Sequence, residues 1–130
     1  ASPFNLQRSD TMGNYVDGFV IPVPRKKIAA YRRMARLGAR VWKDHGALDY
    51  KECVGDDLKA PFAMTFLRGI KTKPGETVCF SWIVYKSRAH RDRVNKAVMQ
   101  DPRLTGSMDP KKMPFDVKRM PYGGFKVLVE

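Results

Sequence analysis

The sequence predicts an α+β fold, one antiparallel sheet carrying two helices, and three observations point there. The run ETVCFSWIVY at Glu76–Tyr85 is rich in β-branched and aromatic residues, the mark of a strand. Val78, Phe80, Trp82 and Val84 alternate on one side of it, and Cys79, Ile83 and Tyr85 on the other, with only Thr77 and Ser81 to soften that side. Two further segments carry apolar residues at helical steps of three and four, and they alternate along the chain with strand-like runs. Antiparallel strands usually keep one face in water. A strand apolar on both faces therefore predicts cover on both sides of the sheet, and two helices suffice for one side only. A second copy of the chain is the simplest cover for the other.

The elements follow in order. Residues 1–13, ASPFNLQRSDTMG, are polar and unpatterned and are expected to be an extension outside the fold, with Met12 as a plausible natural start; residues 14–130 form the single domain. Tyr15–Val23 reads as a strand ended by Pro22 and Pro24, since proline cannot donate to a ladder. Pro24 or Arg25 opens a helix whose stripe is Ile28, Tyr31, Ala35, Gly38, Val41, Trp42 and His45, and Gly46 stops it. Gly38 costs ~1 kcal/mol inside a helix, so its place on the stripe predicts a close helix-to-sheet approach. Ala47–Val54 alternates as a strand, and Gly55–Pro61 is turn-like. Met64–Thr72 reads as a strand joined to Glu76–Tyr85 by the turn Lys73-Pro74-Gly75-Glu76, a hairpin. Ser87 caps a second helix, Arg88–Gln100, with Val94, Ala97 and Val98 inward, and Asp101-Pro102 breaks it. Leu104–Pro121 is irregular and proline-rich, with a turn of helix expected around Pro114–Lys118. Phe125–Val129 is the last strand. The order β-α-β-(β)β-α-β is the ferredoxin-like plan.

The chain of 130 residues carries 25 Lys+Arg against 13 Asp+Glu, a net charge of +12. Eight of the cations fall in Arg25–Lys43, which holds no acid. No apolar run approaches the ~18 residues of a membrane span, and the N-terminus shows no signal pattern, so the expected location is the cytoplasm. Cys53 and Cys79 make no disulfide framework and are expected to be buried free thiols.

Several longer strings resemble one family. YVDGFVIPVP, HGALDYKECVGDD, KTKPGETVCFSWIVYKSRAHRD, VMQDPRL and MPFDVKRMPYGGFKVLVE are similar to the YbaA-like family of small bacterial proteins, and the resemblance runs from Tyr15 to Glu130. It implies a dimeric α/β barrel, in which two ferredoxin-like protomers pack sheet to sheet. It carries no catalytic residues over, since the family has no established activity. Its wider superfamily includes cofactor-free monooxygenases, isomerases and haem enzymes with a pocket between sheet and helices or within the barrel. At the level of fold this sets only an expectation.

Two constellations could carry chemistry. The first is Trp42, Asp44, His45, Asp49, Tyr50 and Glu52, straddling a helix end and the next strand. A helix C-terminus favours a cationic imidazole, and a carboxylate would fix its tautomer, so His45 is the first general base to test; the bland reading is a helix cap beside surface acids. The second is Arg68, Trp82, Tyr85, Asp116, Arg119 and Tyr122. Here Trp82 and Tyr122 could wall an aromatic site and Arg68 or Arg119 hold an anionic group, with the proline-rich stretch as lid. The bland reading is that Trp82 is core or dimer packing and Asp116 pairs with Arg119.

Metal and cofactor motifs are absent from the sequence: His45 and His90 lie far apart, and there is no HExxH, GxGxxG or P-loop. No cofactor is therefore expected. The functional expectation is a homodimer that binds a small aromatic or anionic metabolite, with any activity being cofactor-free proton transfer or oxygen chemistry. The alternative is a non-catalytic dimer that meets RNA or an acidic partner through Arg32, Arg33, Arg36 and Arg40. The RNA-recognition aromatic motif is missing from the strand that should hold it, so RNA contact would run through phosphates and weaken with salt.

Overall fold

The computed structural model describes residues 14–106 and 109–130; the expectation for residues 1–13 lies outside them. Four strands, β1 (Tyr15–Pro24), β2 (Asp49–Val54), β3 (Glu76–Tyr85) and β4 (Tyr122–Lys126), form one antiparallel sheet in the order β2-β3-β1-β4. The helices are α1 (Ile28–Asp44), preceded by a 3-10 turn at Arg25–Lys27, then α2 (Phe66–Gly69), α3 (Arg88–Met99) and α4 (Pro102–Thr105). Two more 3-10 turns, Pro110–Lys112 and Val117–Arg119, lie in the proline-rich segment. The α+β class and its single antiparallel sheet are as the sequence predicts.

β1 and β3 pair along their whole length, from Tyr15 opposite Tyr85 to Pro24 opposite Glu76. Their inward residues meet α1 and α3. Tyr15, Ile83 and Tyr85 share one buried cluster with Val41, Val94 and Val98, while Ile21, Val23 and Cys79 share a second with Tyr31 and Ala35. Fully burying an aliphatic side chain is worth ~1.5–3 kcal/mol, so these clusters fix which face of β3 lies beneath the helices. On α1 the predicted stripe is the buried one, with Tyr31, Ala35, Gly38 and Val41 inward. Ser87 caps α3 as expected, its hydroxyl accepting from the His90 amide at 3.1 Å.

Three expectations are corrected. Met64–Thr72 is not a strand: Phe66–Gly69 is a helical turn, opened by the Thr65 hydroxyl accepting from the Arg68 amide at 3.2 Å. Both edges of β3 are already occupied, by β1 and β2, so no hairpin partner can dock there. The turn at Lys73–Glu76 forms nonetheless, with Gly75 at φ 84° and the Glu76 amide bonded to the Lys73 carbonyl. The last strand is Tyr122–Lys126 rather than Phe125–Val129. It pairs with Phe19–Tyr15 and runs out of partner there, which leaves Leu128 and Val129 exposed. Cys79 is buried as expected, and burial pushes its thiol up to about 11, but Cys53 is exposed, because it points outward from the edge strand β2.

The outer face of the sheet is covered at Pro22 and Val78, and among the described residues the rest of it is only partly covered. Phe80, Phe66 and Phe125 are exposed, and Trp82 packs against Phe80 at 5.7 Å between ring centroids. No helix among the described residues is long and apolar enough to cross a membrane.

Candidate functional site

The strand registers set up the site. Glu52 faces Ser81, Ser81 faces Phe19, and Phe19 faces Tyr122, so these four residues form one row across the sheet. The next inward row is Tyr50, Ile83, Asp17 and Gly124. Between these rows and α1 lies a cavity of about 400 Å³. Its helical wall is Tyr31, Met34, Ala35, Gly38 and Trp42 from α1, with Asn95 and Met99 from α3. Met113, Phe115, Val117 and Met120 close it from the proline-rich segment, so that stretch does cover the site.

Glu52 is the focal group. Tyr31 donates its hydroxyl to Oε1 at 2.6 Å and Tyr50 donates to Oε2 at 2.8 Å. Burial pushes the Glu52 carboxyl above its ordinary value, opposed by the hydrogen bonds from Tyr31 and Tyr50. The same burial and the neighbouring Glu52 charge raise both tyrosines strongly. Gly38 explains how Tyr50 gets there: a Cβ on Gly38 would lie 2.8 Å from the Tyr50 hydroxyl oxygen. The close helix-to-sheet approach expected from a glycine on the stripe is therefore an approach to this hydroxyl.

A second acid, Asp17, is 1% exposed and also faces the cavity. It differs from Glu52 in being paired, with Arg91 Nε 3.1 Å from its carboxylate. Burial, and then the Asp17 charge, raise the hydroxyls of Tyr85 and Tyr122 above their ordinary value. Asn95 Oδ1 accepts from Trp42 Nε1 at 3.0 Å and from the Tyr85 hydroxyl at 3.1 Å, which fixes the wall between the two acids.

The first sequence constellation is split by this geometry. Trp42, Tyr50 and Glu52 come together at the cavity. His45 does not line it; its Nε2 lies 2.8 Å from the Asp101 carboxylate at the end of α1. Arg103, and then His45, hold Asp101 well below the usual carboxylate range. Asp44 accepts from Arg103, and Asp49 bonds Lys51 on the surface.

The second constellation is dispersed. Tyr122 lines the cavity and stacks near Phe19 at 4.9 Å. Tyr85 is buried behind it, bonded to Asn95. Trp82 points to the outer face, since strand alternation puts it opposite Ser81 and Ile83. Arg68 is exposed on α2. Arg119 clasps Glu76 at 2.7 and 2.8 Å and so ties the covering segment to the start of β3, holding the Glu76 carboxyl at about 2. Asp116 caps the turn below by accepting from the Lys118 amide. Arg32, Arg33, Arg36 and Arg40 are all exposed on α1.

Sequence reasoning missed Tyr31 and Asp17 as site residues. Tyr31 was legible as an inward stripe residue, but nothing local showed that it would reach a strand acid. Asp17 carried a signal, since an acid inside an apolar strand must find partners or stay neutral. Among the described residues no group of three or more His, Cys, Asp or Glu could hold a metal ion.

Residues 14–117 match the family described as "Protein of unknown function (DUF1428)". The chain belongs to this family. It is also 43% identical over 116 residues to the "Uncharacterized protein YbaA" of Escherichia coli K12, an alignment covering 89% of this chain and 97% of that protein. The YbaA protein of Shigella flexneri is similar to the same extent, 43% over 116 residues with the same coverage. The YbaA-like resemblance read from the sequence is thus borne out. Among solved structures, the "De novo designed protein Foldit4" superposes with a TM-score of 0.43 at 13% identity, covering 90% of this chain and 99% of its own. That likeness is too loose to carry an inference about a DUF1428 site.

Proposed function

We propose that the chain binds a small, largely apolar molecule, of aromatic size, in the cavity between sheet and α1. The observation that carries this is Glu52, a half-buried carboxylate held by two tyrosines on the wall of a largely apolar space of about 400 Å³. Apolar cavities of a few hundred Å³ with a few convergent polar groups are the usual form of small-molecule sites. The anionic ligand allowed by the sequence loses support, because Arg68 and Arg119 do not line the cavity. The raised pKa of Glu52 favours a second reading, proton transfer with Glu52 as the base in place of His45.

Native mass spectrometry tests the binding reading. Protein purified from its host should carry an added mass that is lost on denaturation and missing from a cavity-filling Ala35→Leu variant that retains its circular dichroism. A wild-type chain with no added mass, and no aromatic fragment bound near Trp42 in saturation-transfer NMR, would overturn it.

We also propose that the sheet follows the ferredoxin-like plan and that a second copy covers its outer face, as in a dimeric α/β barrel. Phe80, Phe125 and Phe66 are 39%, 61% and 45% exposed there in the single chain, an aromatic patch that water covers poorly. Sedimentation should give twice 14.8 kDa, and Trp82→Asp should halve it. A wild-type monomer removes the dimer and leaves the cavity reading intact.

A further inference from the structure

The two acids on the cavity wall are not equivalent. Asp17 has its countercharge in Arg91, 3.1 Å away, and is 1% exposed. Glu52 accepts from two hydroxyls, those of Tyr31 and Tyr50, and both donors are neutral. A carboxylate has about four acceptor positions, so Glu52 keeps acceptor capacity beyond these two bonds. Among the described residues no lysine, arginine or histidine lines the cavity. The same cavity is lined by aromatic rings in two pairs: Tyr31 with Phe115 at 5.8 Å, and Trp42 with Tyr50 at 6.1 Å. Such rings attract a cation through their faces, most strongly where water is excluded. An ionised acid drawn partly out of water with no countercharge is costly, and two conditions remove that cost: a proton, or a cation brought from outside.

We infer that the cavity takes an organic ammonium with an apolar, aromatic-sized tail, whose charged nitrogen pairs with Glu52 while its tail lies against the rings of Tyr31, Trp42 and Phe115. This rests on the ligand-binding reading above and names its substrate class. An anion is refused, because it would face two carboxylates across an apolar space. A neutral analogue gains the tail contacts alone.

The experiment compares three probes of one size: 2-phenylethylammonium, 2-phenylethanol and 3-phenylpropanoate. Calorimetric titration at pH 8 should find the ammonium bound about tenfold or more tighter than the alcohol, and the carboxylate unbound. Lowering the pH toward 4 should weaken the ammonium, as Glu52 takes up a proton, and leave the alcohol unchanged. Glu52→Gln should remove the ammonium's advantage and keep the alcohol's affinity, which doubles as proof that the variant is folded. The wild-type pH series stands on its own if that variant fails to fold. An alcohol that binds as tightly as the ammonium, or an ammonium affinity flat with pH, overturns the cationic ligand and leaves the cavity reading standing. Failure of all three probes at millimolar concentration overturns both.

Discussion

Replacing Gly38 by alanine reads out the geometry on which the Glu52 site depends. At an unobstructed position inside a helix this change stabilises by ~1 kcal/mol, because alanine is the better helix former. Here the new methyl would sit 2.8 Å from the Tyr50 hydroxyl oxygen, and ordinary contact needs about 0.6 Å more. The hydroxyl cannot retreat freely, because it donates to Glu52 Oε2 at 2.8 Å. Moving it outward by that amount breaks a hydrogen bond to a charged acceptor, worth ~1.5–3 kcal/mol. The bond outweighs the propensity, and Gly38→Ala is expected to destabilise by ~0.5–2 kcal/mol. Deleting the hydroxyl reverses the sign. In a Tyr50→Phe background the nearest remaining ring atom, Cζ, lies at 3.6 Å, an ordinary contact, so the alanine becomes neutral or stabilising. Urea unfolding of the wild type, both single variants and the double variant measures this coupling, expected at ~1 kcal/mol or more. Stabilisation of the wild type by Gly38→Ala, or the same sign in both backgrounds, would refute a hydroxyl wedged between helix and acid.

Other expectations follow from the same structure. Glu52 has its folded pKa raised, so the folded chain holds a proton that the unfolded chain has released; stability falls as pH rises through that interval and stays reduced above it. The stability of Glu52→Gln relative to wild type should therefore improve between acid and pH 8, and a difference constant with pH would contradict the raised carboxyl. Glu76 is the opposite case. Arg119 holds it at about 2, so its contribution is full above the ordinary glutamate value of 4.5 and is lost as pH falls toward 2. Arg119→Gln should accordingly destabilise at neutral pH and progressively less on acidification in denaturant titrations; an unchanged difference near pH 3 would show that the clasp does not hold the acid. Ile21→Ala, at a site 2% exposed, should cost ~2–5 kcal/mol in the same assay, and a cost below ~1 would mean that the second cluster is not packed as described.

The fold was legible where a pattern spans a whole element. The stripe of α1 and the cap at Ser87 are local signals, and both match the structure. The run Met64–Thr72 failed because its apolar residues satisfy either period, and the deciding fact lies elsewhere: β1 and β2 fill both edges of β3. Phe125–Val129 failed for a related reason, since the end of β4 is set by where β1 begins. Of the site, Trp42, Tyr50, Glu52 and Tyr122 were named from sequence and line the cavity, whereas His45 and Trp82 were named and do not. His45 is separated from the cavity by the turn at the end of α1, where a distant aspartate, Asp101, engages it. Tyr31 and Asp17 were missed because their importance depends on registers between strands and helix that no single segment displays.

The pairing of β1 also governs when the protein can become itself during synthesis. The first of the described strands, β1, is an interior strand of the finished sheet, and it waits for partners at Glu76–Tyr85 and Tyr122–Lys126. Asp17 on β1 and Glu52 on β2 belong to strands that never touch and are joined only through β3. A nascent chain halted before residue 76 therefore holds both acids and no binding site. Such long-range pairing makes folding slow relative to a helical bundle of equal size. It also makes the cavity an all-or-none feature: a truncated chain has no partial version of it to offer a ligand.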